Sequence, residues 1–162
     1  MDDELTTLAT ELAGRLKQAG GLLATAESCT GGDLAQALTA LAGSSAWFER
    51  GFVTYSNLSK QELLGVPEDT LARHGAVSAA TAQVMAEGAL THSHAQYAVA
   101  ITGIAGPGGG SAEKPVGTVF IACAGARRET RGQQYAFVGD RAAVRRQSVL
   151  AALRSLLRYI DE

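Results

Sequence analysis

The 162-residue sequence contains only two cysteines, Cys29 and Cys123, and only three prolines. Two cysteines are too few for a disulfide framework, so reduced thiols in a cytosolic protein are expected. No apolar run approaches the ~20 residues that a membrane span needs, and the N-terminus is acidic rather than basic and then apolar, as in a secretory signal. The sequence therefore predicts a soluble, cytoplasmic protein with no membrane partner.

An excess of charge of one sign is also missing. Fourteen lysines and arginines stand against sixteen acidic residues, for a formal net charge of −2. This balance argues against the broadly basic surface that grips nucleic acid, so no nucleic-acid partner is expected. With 46% hydrophobic and 19% charged residues, the chain is long enough for a proper core. We expect residues 1–162 to form a single domain.

Helical and strand patterns alternate along the chain. Leucines at 5, 8, 12 and 16 share one helical face, and the glycine pair at 20–21 is expected to end that helix. Further helices are predicted after residue 33, after residue 57, and over 68–73, 79–91 and 140 onward. Short apolar runs predict strands at 22–26, 52–55, 97–102, 116–122 and 134–138. This order predicts an α/β fold: a three-layer α/β/α sandwich around a mixed, mostly parallel sheet that includes an antiparallel hairpin.

Three loops follow directly from predicted strands, at Ser28, Ser56 and Gly103. Ligands of such sheets bind beyond the carboxyl ends of the strands, so these loops should lie together at one edge.

The segment 25–36, TAESCTGGDLAQ, places Ser28 where an apolar strand turns into a helix. A serine at such a bend can project its hydroxyl while free N–H groups of the first helical turn face a bound group. Those groups suit an oxyanion or a phosphate. The alternative is that Thr30 only caps the helix and that the glycines only permit the bend.

A serine nucleophile needs a base, and the three histidines are poor candidates. His74, His92 and His94 lie at predicted helix ends, where the helix dipole favours a histidine for structural reasons. The pair His92 and His94 has no nearby carboxylate or cysteine companion, so no metal site is expected.

Lys60 is the more attractive base. A lysine held in a dry pocket loses part of its affinity for the proton and can then accept one from a serine. Tyr55, in the same strand-to-helix unit, is placed to relay that proton or to hold the ammonium by a hydrogen bond. The alternative is that Lys60 is an ordinary solvated surface charge.

The segment 102–110, TGIAGPGGG, is too rich in glycine for an ordinary connection. Each glycine adds conformational entropy that folding must overcome, so a ligand that approaches this backbone closely would account for it. The pattern matches neither the phosphate loop of nucleoside triphosphatases nor the dinucleotide-binding fingerprint. A flexible surface loop is the alternative.

The last predicted helix begins with arginines, which oppose the helix dipole at its N-terminus. Arg141 and Arg145 are four residues apart and share a face, so together they are placed to bind a phosphate group. The alternative is that Asp140 and other surface acids simply neutralise the charge of these arginines.

Four segments together resemble the CinA C-terminal domain family: 26–32 (AESCTGG), 55–57 (YSN), 102–109 (TGIAGPGG) and 114–119 (KPVGTV). The resemblance runs over essentially the whole chain, with the motifs in the family's order and spacing. The family includes nicotinamide mononucleotide amidohydrolases, which release ammonia and leave nicotinate mononucleotide in pyridine-nucleotide recycling. It also includes longer proteins with an additional N-terminal domain.

The resemblance implies that Ser28 is the nucleophile, that Lys60 and Tyr55 assist it, and that Arg145 contacts the substrate. It also implies a homo-oligomer and a reaction without metal or organic cofactor. Combined with the motifs above, it leads us to expect eight substrate-binding residues: Cys29, Thr30, Gly31, Thr102, Gly103, Gly106, Arg141 and Arg145.

Other interpretations stay open at this point. Cys29 is a rival nucleophile, because a thiolate is intrinsically more nucleophilic than an alkoxide, although no base is placed for it. The pocket also suits a binding or regulatory module that holds a phosphorylated nucleotide without turning it over. A third interpretation is an amidase that acts on another phosphorylated amide.

Overall fold

The computed structural model describes residues 3–162, which contain six α-helices and five β-strands. The helices are α1 (Asp3–Ala19), α2 (Asp33–Thr39), α3 (Asn57–Leu64), α4 (Glu68–His74), α5 (Ala79–Thr91) and α6 (Arg141–Asp161). The strands are β1 (Leu23–Glu27), β2 (Phe48–Val53), β3 (Tyr97–Gly103), β4 (Thr118–Gly125) and β5 (Arg131–Ala136). No helix in this part of the chain is both long and apolar enough to cross a membrane.

The five strands form one sheet in the order β2-β1-β3-β4-β5. Strand β1 pairs in parallel with β2 and β3, whereas β4 pairs antiparallel with β3 and β5. Four strands therefore run in one direction and β4 runs against them. This arrangement confirms the predicted mixed, mostly parallel sheet, and β4 and β5 form its antiparallel hairpin.

Helices cover both faces of the sheet, as the sandwich prediction requires. One core cluster packs α1, α2 and α6 against larger strand side chains, including Leu23, Val99 and Ile101. On the other face, α3, α4 and α5 pack against a surface made mostly of alanine: Ala24, Ala26, Ala98, Ala100, Ala122 and Ala124. Small side chains let the helices on that face approach the sheet closely.

Local capping signals place several helix ends where the sequence predicts them. Gly20, with φ 68°, follows the end of α1. The hydroxyl of Ser78 accepts a hydrogen bond from the N–H of Thr81 at the start of α5. The carboxylate of Asp140 accepts one from Ala143 at 2.9 Å, and this cap begins α6.

Strand boundaries differ from the prediction most in β2, β4 and β5, and β2 begins four residues earlier than predicted, at Phe48. Strand β2 ends before Thr54 and Tyr55, because the chain there turns into the Ser56 cap of α3. Strand β4 begins only after Gly117, whose φ of 98° lies outside the extended region. Strand β5 begins earlier than predicted, at Arg131, because polar residues at the sheet edge still pair with β4.

Candidate active site

The loops after β1, β2 and β3 meet at one edge of the sheet, as their parallel strands predict. Together with the N-terminus of α6 they enclose a cleft of about 270 Å³. Its lining includes Ser28, Cys29, Tyr55, Lys60, Thr102, Gly103, Gly106 and Arg141. Thr30, Gly31 and Arg145 do not line it.

Lys60 and Ser28 are in direct contact at the bottom of this cleft. The Nζ of Lys60 lies 3.0 Å from the Oγ of Ser28, and Lys60 is only 1% exposed. The same amine donates to the main-chain carbonyl oxygens of Thr54 at 2.9 Å and of Tyr55 at 3.1 Å. Lys60 is therefore not a solvated surface lysine.

The environment of Lys60 makes loss of its proton easier. Burial removes the hydration of an ammonium group and so lowers the pKa of Lys60 from its ordinary value. A neutral amine has two N–H groups and one lone pair. In the ammonium form the three N–H groups donate to Ser28 Oγ and to the carbonyls of Thr54 and Tyr55. In the neutral form the two carbonyls are placed to take the two hydrogens, so that the lone pair faces the Ser28 hydroxyl.

Helix α3 holds Lys60 in this position. The side chain of Ser56 caps the helix by accepting from the N–H of Ser59 at 3.0 Å. Lys60 and Leu64 are four residues apart and share the inner face, where both are buried. Gly65 then ends the helix in the left-handed conformation, with φ 70°. The apolar anchor at Leu64 therefore fixes the helix rotation that points Lys60 inward.

The turn that carries Ser28 is tightly held by its own main chain. The N–H of Ser28 donates to Ile101 O at 3.0 Å, and the N–H of Gly31 donates back to Ser28 O at 3.0 Å. Gly31 and Gly32 have φ of 58° and 104°, which residues with a side chain rarely adopt. The glycines therefore do permit the bend, and Ser28 is placed on it.

The first helical turn of α2 does not offer free N–H groups, so this expectation is wrong. The N–H groups of Leu34 and Ala35 donate to the two carboxylate oxygens of Glu27, at 2.9 and 3.0 Å. Thr30 does not cap the helix either. Its hydroxyl donates to Glu27 at 2.6 Å, and its buried side chain lies behind the turn.

Glu27 is the residue that sequence reasoning missed. The one available signal is an acidic residue at the end of a strand whose five positions are all buried. The carbonyl of Thr54 was missed as well, and a main-chain acceptor leaves no signal in the sequence.

Cys29 lines the cleft beside Ser28 but is 5% exposed. Burial raises the pKa of its thiol to about 11, because an apolar environment penalises the thiolate. Cys29 is therefore a neutral thiol at neutral pH, which weakens the rival interpretation of Cys29 as nucleophile.

Tyr55 contacts Lys60 through its main chain rather than its phenol. The Tyr55 side chain is exposed, and its hydroxyl accepts from Arg141 Nη2 at 3.1 Å. No contact between this hydroxyl and Lys60 or Ser28 exists in residues 3–162 as described. The Tyr55 carbonyl, rather than the phenol, therefore holds the Lys60 amine by a hydrogen bond. No contact in the described residues supports a proton relay through the Tyr55 hydroxyl.

The two arginines of α6 have different surroundings, and the structure does not bring them together in the cleft. Arg141 lines the cleft and donates to Gly106 O at 2.9 Å. Arg145 donates to Thr30 O at 3.2 Å and pairs with Asp33 at 3.2 Å, behind the Ser28 turn. The packing of the turn against α6 separates two side chains that a helical projection places together.

The glycine-rich loop packs closely against the segment that follows it, at Val116 and Val119, although residues 107–110 are exposed. A Cβ at Gly103 would lie 2.6 Å from Val119 Cγ2, and one at Gly110 would lie 2.8 Å from Val116 N. The hydroxyl of Thr102, at the root of the loop, donates to Ala76 O at 2.8 Å. Gly103 and Gly110 are therefore needed for this close packing, whereas a Cβ at Gly108 would meet nothing within 4 Å.

Two of the three histidines, His74 and His92, lie at the ends of helices. His74 ends α4, and His92 follows α5, where its Nδ1 lies 2.8 Å from Gly88 O. Within residues 3–162, no three histidine, cysteine, aspartate or glutamate side chains are grouped closely enough to hold a metal ion.

Residues 5–160 match the CinA C-terminal domain. The chain belongs to this family. Nicotinamide-nucleotide amidohydrolase PncC of Escherichia coli strain K12 is 56% identical over 155 residues, which cover 96% of this chain and 94% of that protein. The protein of the same name from Pseudomonas putida is 51% identical over 160 residues, or 99% of each chain.

Among solved structures, the competence/damage inducible protein CihA from Agrobacterium tumefaciens superimposes with a TM-score of 0.96 at 45% identity. The match covers 100% of this chain and 98% of that one. The α/β architecture described above is therefore that of known CinA family members.

Proposed function

We propose that this protein is a nicotinamide-nucleotide amidohydrolase, which hydrolyses the carboxamide of nicotinamide mononucleotide to nicotinate mononucleotide and ammonia. The observation that carries the proposal is the buried Lys60 amine 3.0 Å from the Ser28 hydroxyl, in a cleft at the carboxyl edge of the sheet. Relatives that carry this activity in their names are 51 to 56% identical to the chain over nearly its full length. The activity is an amidase activity on a linear, non-peptide amide.

Ser28 acts as the nucleophile and Lys60 as its base. The neutral Lys60 amine takes the hydroxyl proton while Ser28 Oγ forms a bond to the carboxamide carbon. The resulting Lys60 ammonium then returns that proton to the leaving nitrogen as the carbon–nitrogen bond breaks, which releases ammonia. Water, deprotonated by the same amine, hydrolyses the acyl-enzyme and frees Ser28. No step requires a metal or an organic cofactor.

The oxyanion of the tetrahedral intermediate needs donors close to Ser28. In the part of the chain that the structure describes, the N–H groups of Cys29 and Thr30 donate to no oxygen, whereas that of Gly31 is already bonded to Ser28 O. Among the described residues the N–H of Gly32 is unbonded too, but Cys29 and Thr30 directly follow Ser28, so we assign the oxyanion hole to their N–H groups. One such donor typically contributes about 3 kcal/mol to transition-state stabilisation.

Arg141 binds the 5′-phosphate of the substrate. Its guanidinium lines the cleft and is held by two uncharged acceptors, Gly106 O and the Tyr55 hydroxyl. A phosphate is a stronger partner, because a charge-assisted bidentate contact is roughly twice as strong as a neutral hydrogen bond. Arg145 supports the turn at Thr30 from behind rather than contacting the phosphate.

Ammonia release from nicotinamide mononucleotide by the purified protein tests the proposal. We expect turnover by the wild type, none by Ser28→Ala, and nearly full activity in Cys29→Ala, which removes the neighbouring thiol as a matched control. Loss of turnover in Cys29→Ala with retention in Ser28→Ala would assign the nucleophile to Cys29. Binding of the nucleotide without ammonia release would identify a binding module, and cleavage of a different phosphorylated amide alone would identify another amidase.

A further inference from the structure

The carboxylate of Glu27 joins the end of β1 to the start of α2. It accepts the Thr30 hydroxyl at 2.6 Å and the N–H groups of Leu34 and Ala35 at 2.9 and 3.0 Å. Glu27 is fully buried, with 0% exposure. Its main chain is also fixed, because Glu27 O accepts from Thr54 N at 2.9 Å.

This contact replaces an ordinary helix cap. The N-cap position of α2 is occupied by Gly32, which has no side chain to cap the helix. The next residue, Asp33, directs its carboxylate to Arg145 instead. Glu27 reaches seven residues forward along the chain to take the N–H groups that a side chain at position 32 would otherwise satisfy.

The Ser28 turn is consequently closed at both ends by one side chain. Glu27 directly precedes Ser28, and its carboxylate holds both Thr30 in the middle of the turn and the helix beyond it. A change in the length or the hydrogen-bonding capacity of this side chain therefore shifts the turn relative to Lys60, which belongs to a different element.

Glu27 also decides which donors remain for a reacting group. Since Leu34 and Ala35 are bonded to its carboxylate, the helix N-terminus offers them to no other anion. In the described part of the turn, the N–H groups of Cys29, Thr30 and Gly32 then remain without a main-chain acceptor, and those of Cys29 and Thr30 directly follow Ser28. Burial is the main cause of the raised pKa of Cys29, and the nearby Glu27 carboxylate raises it further.

We propose that Glu27 is a positioning residue: its buried carboxylate sets the geometry of the Ser28 turn and its position relative to Lys60. The proposal rests on the proposed function for its choice of substrate, and on Ser28 as the nucleophile. Glu27 itself touches neither the substrate nor the reacting atoms.

Two measurements on Glu27→Gln test it. The first is kcat and KM for ammonia release from nicotinamide mononucleotide. The second is the rate at which a fluorophosphonate probe labels Ser28, a reaction that forms an Oγ–phosphorus bond and releases fluoride. Glutamine keeps the size of the side chain but has one acceptor oxygen where glutamate has two. Its N–H₂ group would face a hydrogen-bond donor and accept nothing from it. We expect kcat and the labelling rate to fall at least about 10-fold while KM stays within about 3-fold.

Control variants separate positioning from loss of stability. Leu16→Val and Leu16→Ala remove core volume from α1, outside the cleft. They are chosen so that one has a higher and the other a lower midpoint of thermal unfolding than Glu27→Gln. Both rates should stay within about 3-fold of wild type in these controls, measured well below their midpoints. Glu27→Asp keeps the charge but withdraws it by one methylene, and it is judged by the same criteria if the glutamine variant does not fold.

The proposal is overturned if either rate of the Glu27 variant equals that of the wild type, or if the Leu16 controls lose as much. Absence of ammonia release by wild type, together with normal Ser28 labelling, contradicts the proposed function alone, and labelling then decides the role of Glu27. Absence of both reactions in wild type removes Ser28 as a nucleophile and overturns both proposals.

Discussion

Arg141 Nη2 donates to the hydroxyl of Tyr55 at 3.1 Å, and its Nη1 donates to Gly106 O at 2.9 Å. One guanidinium therefore bridges the loop after β2 and the glycine-rich loop at the cleft. This bridge gives the Tyr55 phenol a partner other than Lys60, and it places a permanent positive charge in the cleft that Ser28 and Lys60 also line.

Tyr55→Phe tests whether the phenol moves a proton. Because the hydroxyl contacts Arg141 and the Tyr55 carbonyl holds Lys60, the variant should keep kcat within about 3-fold of wild type and raise KM a few-fold. Steady-state ammonia release measures both constants. A fall in kcat of about 100-fold or more at unchanged KM would show instead that the hydroxyl takes part in proton transfer.

The pH dependence of kcat/KM should report the neutral form of Lys60. Burial lowers the pKa of Lys60 below its ordinary value of 10.5, and only the deprotonated amine accepts the Ser28 proton. Activity is therefore full above this lowered pKa and is lost as the pH falls through it.

Lys60→Arg provides the matched control, because arginine keeps a positive charge and does not deprotonate in this range. It should reduce kcat by at least about 1000-fold at every pH. A wild-type rate that does not change between about pH 5 and 10 would contradict Lys60 as the base.

Arg141→Ala and Arg145→Ala should have different effects. Loss of Arg141 removes the phosphate partner in the cleft, so KM for nicotinamide mononucleotide should rise at least about 10-fold with a smaller change in kcat. Loss of Arg145 removes contacts to Thr30 and Asp33, so the free energy of unfolding should fall by about 1 kcal/mol while KM changes little.

Nicotinamide riboside, which lacks the phosphate, sharpens the comparison between the two arginines. The ratio of kcat/KM for nicotinamide mononucleotide to kcat/KM for the riboside should fall in Arg141→Ala. In Arg145→Ala this ratio should stay as in the wild type. The opposite pattern would place the phosphate at Arg145.

Two helical glycines should respond in opposite ways to alanine. Gly14 lies on the exposed face of α1, and a Cβ there meets nothing within 4 Å, so Gly14→Ala should raise stability. The expected gain is about 0.5 to 1 kcal/mol. At Gly88 in α5, a Cβ would lie 2.1 Å from Leu64 O. Gly88→Ala should therefore cost about 1 to 3 kcal/mol, which thermal or denaturant unfolding measures. Equal effects of the two substitutions would show that α3 and α5 are not packed this closely.

Local signals predicted most of the fold. The Ser78 cap, the glycine after α1 and the apolar run of β3 all lie within a few residues of the boundary they set. Edge strand β5 was misplaced because its pairing with β4, rather than its own polar sequence, makes it a strand. Pairing partners are distant in sequence, so a local pattern does not contain them.

The candidate site was predictable in part. Motif spacing indicated Ser28, Lys60 and Arg141, and the fold brings all three into one cleft. Arg145 was assigned to the substrate from its helical face and from family resemblance, yet its contacts lie behind the turn. Glu27 was overlooked, since its role depends on three donors that only the folded turn gathers around it.

The sequence by itself determined the alternation of helices and strands, the bend that carries Ser28 and the family to which the chain belongs. These depend on periodicity, on capping and on residue identity, all of which act over short stretches. Only the tertiary structure decided that Lys60 is buried against Ser28 and that Arg141 rather than Arg145 faces the cleft. Burial, hydrogen-bond partners and the resulting pKa depend on what packs around a side chain, and those neighbours come from elements far apart in the chain.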